Sequence, residues 1–128
     1  MKTVEGGVAA PKGFRASGVA AGIKPKSTKN DCALVVSDTA SAVAGMFTTN
    51  VMKAPPVVWN EEVCAKGAAR AVFINSGNAN AATGERGFRD ARATAEAVAN
   101  KLRIPIGEAC VCSTGVIGVP LPMDRILD

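Results

Sequence analysis

Histidine and tyrosine are absent from this 128-residue chain. Without histidine there is no Ser-His-Asp or Cys-His nucleophile system, no His-ligated zinc and no imidazole acid–base chemistry within the chain. Catalysis is left to hydroxyls, amides, carboxylates, lysines or a free amine. Aromatic residues make up only 4%, and the lysine-bearing stretches have none interleaved to stack on bases. The charge excess is small, 15 Lys+Arg against 11 Asp+Glu for a net +4, so nucleic acid is not an expected partner. No apolar run approaches the ~18 residues a membrane span needs. Met1-Lys2-Thr3-Val4-Glu5 has no apolar segment behind a basic start, so no secretory leader is expected. Four cysteines, Cys32, Cys64, Cys110 and Cys112, form no C-x-x-C framework and lack further metal ligands. They read as small buried hydrophobes, with the thiols of Cys110 and Cys112 on one strand face. A reducing cytoplasm is expected.

What is present suffices for a core: 48% apolar against 20% charged residues, in a length suited to one domain. Gly7-Val8-Ala9-Ala10 and Gly18-Val19-Ala20-Ala21 echo each other and read as strand-like segments about a turn at Pro11-Lys12-Gly13. In a chain rich in Gly, Ala and Val the echo itself is coincidence. Lys24–Asp31 reads as a solvated basic loop, although its lysines also suit a phosphate. Cys32–Ser37 and Ala42–Thr48 are apolar runs of strand length, and Asp38-Thr39-Ala40-Ser41 between them suits a hairpin. Pro55-Pro56 should break the chain before a short strand at Val57-Val58-Trp59. Glu61–Lys66 should then be one or two helical turns, capped by Asn60 and stopped by Gly67. Ala68–Asn75 reads as a strand buried on both faces.

One helix stands out. Phe88, Ala91, Ala95, Val98 and Leu102 form a single apolar stripe, Thr83 can cap the start, and Ile104-Pro105 ends it. Ala109–Ser113 predicts a second buried strand, running into a turn at Thr114-Gly115-Val116-Ile117-Gly118. Pro122 then suits the first turn of another helix. No helix stop precedes Asp128, so residues 1–128 are expected to be a single incomplete domain.

Two segments share one design, an apolar strand ending in small polar residues and glycine. They are Val72-Phe73-Ile74-Asn75-Ser76-Gly77-Asn78-Ala79-Asn80 and Cys110-Val111-Cys112-Ser113-Thr114-Gly115-Val116-Ile117-Gly118. Such ends let a backbone approach a ligand and point amides at an anion. Each is equally what a tight turn prefers. Ser113-Thr114-Gly115 lacks the lysine of a nucleotide loop. Phe47-Thr48-Thr49-Asn50 is a third polar strand end, whose side chains suit bonds to their own backbone.

In combination the segments are more specific. Ala10-Pro11-Lys12-Gly13-Phe14, Gly18–Lys24, Phe47-Thr48-Thr49-Asn50, Asn75–Ala81, Ser113–Gly118 and Leu121-Pro122-Met123 occur in this order. The series, from Gly7 to Ile126, resembles the N-terminal part of the ornithine acetyltransferases, the glutamate N-acetyltransferases of arginine biosynthesis. That resemblance implies a mixed α/β, layered sheet-and-helix fold completed by later sequence. It also implies a precursor that cuts itself before a threonine into α and β chains that remain together as an αβ hetero-oligomer. The new N-terminal threonine would take acetyl from N-acetylornithine, with its own amine as base, and pass it to glutamate. Some members also accept acetyl-CoA, which enters as a candidate substrate. No cofactor and no metal are implied.

Carried over by position, the family's oxyanion-stabilising pair falls on Thr114 and Gly115, through the threonine hydroxyl and the glycine amide. The Asn75–Asn80 loop is expected to fix the strand–helix turn that supports them. Ala82 stands where many members carry cysteine, a neutral difference. The cleavage threonine and the substrate-binding residues of the later α chain and the β chain have no match here. The chain alone is therefore expected to be inactive. Two rival readings remain, a non-catalytic subunit or binding module and a related self-cleaving aminopeptidase.

Overall fold

The computed structural model describes residues 3–128. A four-stranded sheet has its strands in sequence order: β1 (Phe14–Val19), β2 (Cys32–Ala42), β3 (Ala68–Asn78) and β4 (Ala109–Val116). The first three run antiparallel, and β3 and β4 are parallel. The parallel pair needs a crossover, which α2 (Gly84–Leu102) supplies. Helix α1 (Pro55–Ala65) packs on β4, and α3 (Met123–Leu127) closes the described chain. The mixed α/β layering expected from the sequence is present.

α2 forms the main core. Its Ala91, Ala95 and Val98 pack on Ala71, Ala109 and Val111 of the parallel pair. The buried face also includes Gly87, Thr94 and Ala99, whereas Phe88 remains 47% exposed. The stripe is thus rotated at its first turn. The reason is the close approach at Gly87, where a Cβ would stand 2.6 Å from Asn80 Oδ1 and 3.0 Å from Pro55 Cγ. That turn must present a glycine inward, and Phe88 turns outward. Thr83 precedes the helix but does not cap it; its hydroxyl donates to Asn80 Oδ1 at 2.8 Å. The helix ends at Arg103 in the left-handed region, one residue before the Ile104-Pro105 stop signal.

Several expectations give way. The hairpin at Asp38–Ser41 is instead an irregularity within one long strand, since Cys32–Ala42 is continuous and Ala42–Thr48 is not a second strand. Between the rungs Val36↔Ala71 and Ser41↔Ala69, β2 advances five residues while β3 retreats two. The excess is absorbed in a bulge, braced by the Ser37–Ser41 hydroxyl contact at 2.8 Å and by the Asp38 N–H donating to the Gly13 carbonyl. Pro55-Pro56 begins α1 rather than breaking the chain before a strand at Val57-Val58-Trp59. Prolines fit a helix's first positions, where no N–H partner is required and φ is already suitable. Asn60 consequently lies inside α1 and caps nothing, while Gly67 follows the helix as expected with φ +76°.

At the N-terminal side, Gly7–Ala9 is a 3-10 turn and only Phe14–Val19 is a strand. β3 extends to Asn78 and is not buried on both faces, because α2 covers one face and Ile74 on the other is 36% exposed. β4 continues through the expected turn as far as Val116. Cys32 and Cys110 are buried, whereas Cys64 and Cys112 are half-buried, and all four are free. Among the described residues no helix is long and apolar enough to cross a membrane.

Candidate functional site

The two polar strand ends singled out in the sequence lie side by side. In the β3–β4 register Ser76 pairs with Thr114 and Gly77 with Gly115, and the ladder then slips so that Asn78 faces both Thr114 and Val116. Gly115 has φ +136°, and a Cβ there would stand 2.5 Å from Asn78 N and 2.6 Å from Gly77 O, and against Gly77 C. Only glycine permits that approach of the two main chains. Thr114 and Gly115 are both exposed, so the strand end is open rather than sealed inside the fold.

Three buried asparagines hold the junction. Asn75 donates from Nδ2 to the Asn78 carbonyl at 2.9 Å, and Asn78 donates to the Pro120 carbonyl at 3.0 Å. Asn78 Oδ1 accepts from the Asn80 N–H at 3.0 Å, and Asn80 Nδ2 reaches the Gly87 carbonyl at 2.9 Å. Main-chain bonds from Ala79 to Val116 and from Gly118 to Ala81 tie the two loops together. The Asn75–Asn80 loop therefore fixes the strand–helix turn beside Thr114. Each side-chain amide replaces a backbone partner that a bulged strand end lacks.

Two supporting residues were not evident from the sequence. Asp31 ends what reads as a solvated loop, yet it is only 3% exposed. Its carboxylate accepts from the Ala21 N–H at 2.7 Å and the Lys24 N–H at 3.0 Å, and its carbonyl accepts from the Ser76 N–H at 2.8 Å. The Lys24 amide, together with other main-chain N–H groups, holds the Asp31 carboxyl below the usual range despite opposing desolvation. Asn60 is the other. From α1 its Nδ2 donates to the Val111 carbonyl at 2.9 Å and its Oδ1 accepts from the Val111 N–H at 3.0 Å, on the edge of β4 away from β3. Beside it Trp59 Nε1 donates to the Ala109 carbonyl at 2.8 Å. Neither residue carried a motif signal, because each acts on backbone distant in sequence.

Cys110 and Cys112 are poor nucleophiles. Burial pushes the Cys110 thiol up to about 11, with Cys64 and Cys112 adding to the rise. Cys112 is raised by burial, against the Asn60 amide. Both stay protonated near neutral pH. The segment Phe47-Thr48-Thr49-Asn50 is no strand end. It lies in an irregular exposed stretch where Thr48 Oγ1 accepts from the Asn50 N–H and Asn50 Oδ1 from the Met52 N–H, so its polar groups do bond their own backbone.

This sheet, with its crossover helix and paired glycine-bearing strand ends, is the mixed α/β fold of the ornithine acetyltransferases. The crystal structure of ornithine acetyltransferase complexed with ornithine from Mycobacterium tuberculosis matches with TM-score 0.89 and 52% identity over 94% of this chain and 65% of that one. The arginine biosynthesis bifunctional protein ArgJ of Bacillus halodurans matches with TM-score 0.88 and 39% identity, over 95% of this chain and 63% of that one. The profile of the ArgJ family matches residues 15–128, and the chain belongs to that family. The arginine biosynthesis bifunctional protein ArgJ of Caldanaerobacter subterraneus subsp. tengcongensis is 51% identical over 99% of this chain, and that of Mycolicibacterium paratuberculosis is 54% identical over 96%. The chain spans 31% and 32% of the length of those two relatives.

Proposed function

We propose that residues 1–128 are the N-terminal portion of the α chain of a glutamate N-acetyltransferase, one part of a domain completed by further sequence. The reaction moves acetyl from N-acetylornithine to glutamate in the cytoplasm, where four free thiols are at home. An N-terminal threonine, released by self-cleavage outside this segment, attacks the acetyl carbonyl while its own amine takes the hydroxyl proton. Collapse of the tetrahedral adduct expels ornithine and leaves acetyl-threonine, and the glutamate amine then takes the acetyl group. Acetyl-CoA is a second candidate donor to the same threonine.

Thr114 and Gly115 receive the oxygen that becomes negative in each adduct, the first through its hydroxyl and the second through its N–H. The observation that carries this reading is the open, pre-shaped end of β4. Thr114 is exposed, and the Gly115 backbone is packed against Gly77 in a conformation an anion would not have to induce. Donors already in place stabilise a transition state without reorganising.

The test is a complete ArgJ-family chain carrying residues 15–128 of this sequence in place of its own matching segment. Thr114→Ala should lower kcat for acetyl transfer from N-acetylornithine by about 100- to 1000-fold, or about 2.7–4 kcal/mol, with little change in fold. Unchanged turnover removes Thr114 from this role. The 128-residue chain alone should give no transfer above background. Hydrolysis of short peptides by the complete chain, without acetyl transfer, would favour the aminopeptidase reading, and neither activity would favour a binding module.

A further inference from the structure

Above the Gly77–Gly115 junction lies a lysine to which the oxyanion reading assigns nothing. A Cβ added at Gly77 would stand 2.8 Å from Lys24 Cγ and 3.6 Å from Lys24 Cε, so the whole aliphatic stem lies across this glycine. The Gly77 backbone in turn is the surface against which Gly115 packs. Lys24 is held there from several directions. Asp31 takes its N–H and that of Ala21, Arg125 donates to the Gly22 carbonyl, and the Asp31 carbonyl is bonded to Ser76. Among the described residues Lys24 takes part in no ion pair, although five other cationic side chains do. Asp31, the acid nearest in the chain, has both carboxylate oxygens engaged with main-chain N–H groups.

We infer that Lys24 is a positioning residue for the reaction proposed above: its stem lies across the β3–β4 junction, and its ammonium sets a positive charge beside the place where the oxyanion forms. The inference rests on the assignment of Thr114 and Gly115, but it adds a residue from a separate part of the chain. A charge beside the junction acts through space without touching the reacting atoms. It favours the state in which negative charge has developed, so it acts on kcat rather than on ground-state binding. A stem lying on glycine loses little rotamer freedom when the site forms, unlike an unsupported surface lysine.

Three variants of the complete chain described above separate the possibilities. Lys24→Met keeps the stem and removes the charge; it should lower kcat about tenfold with KM for N-acetylornithine unchanged and the melting temperature preserved. Lys24→Arg should stay within threefold of the parent, and added salt should narrow the gap between parent and Lys24→Met. Thr114→Ala serves as the reference. If Thr114→Ala lowers kcat and Lys24→Met does not, the inference fails alone. If Lys24→Met and Lys24→Arg lose activity equally, or if only KM rises, the charge has no role in the reaction step and the inference is likewise overturned. If Thr114→Ala changes nothing, the oxyanion assignment itself falls.

Discussion

Replacing Gly115 with alanine tests the tightest main-chain approach at any glycine among the described residues. The new Cβ would lie 2.5 Å from Asn78 N and 2.6 Å from Gly77 O, all of it backbone that no rotamer change can clear. The residue would also hold φ near +136°, a conformation L side chains rarely adopt. Such a backbone costs about 1–3 kcal/mol, and forcing a well-packed contact apart costs about 1–3 kcal/mol more. The middle of that range, ~4 kcal/mol, corresponds to a fall in melting temperature of about 15 °C for a domain of this size. Gly118→Ala is the matched control. Its φ is +80°, but a Cβ there meets nothing within 4 Å, so only the left-handed cost of about 1–2 kcal/mol applies. Urea and thermal unfolding can be followed by fluorescence of Trp59, the single tryptophan, whose indole is bonded to β4. A loss for Gly115→Ala no larger than that for Gly118→Ala would refute the argument that β3 and β4 must touch at this point.

Asn60→Leu removes both bonds to Val111 and leaves an N–H and a carbonyl without partners, for a loss of about 2–4 kcal/mol. Amide exchange at Val111 should accelerate, and unchanged protection would count against the role given to Asn60. Asp31 makes stability pH-dependent. Because its carboxyl is held below its unfolded value, the stabilisation is complete above about pH 4 and is lost as pH falls through the lowered folded value. Unfolding curves for the parent and Asp31→Asn should therefore converge on acidification, and a gap that stays constant down to pH 2 would exclude this origin.

The parts of the fold legible in the sequence are those where a single period decides. α2 shows its stripe, and β3 and β4 show as short apolar runs because the crossover buries them. Phe88 departs from the stripe because the deciding contact, Gly87 against Asn80 and Pro55, is tertiary. The start of α1 was concealed by two prolines that break a helix interior but begin one well, and the β2 bulge by four polar residues that equally suit a hairpin. At the candidate site the two glycine-bearing strand ends were visible one at a time. Their register, which sets Gly77 against Gly115, was not. Asp31, Asn60 and Lys24 each act on main chain or glycine from another segment, and such contacts leave no local pattern to read.

The bonds from Trp59 and Asn60 divide β4 into two regimes. Up to Val111 the strand is flanked on both sides, by β3 and by α1, and should exchange like the middle of a sheet. Three residues further on, at Thr114, the α1 bonds have ended. Sliding α1 by one turn would break all three bonds to Ala109 and Val111 at once, so the boundary cannot drift gradually. Past that point the hold on β4 passes to the β3 side alone, so loosening α1 should raise exchange at Ala109 and Val111 while the Gly77–Gly115 junction keeps its shape.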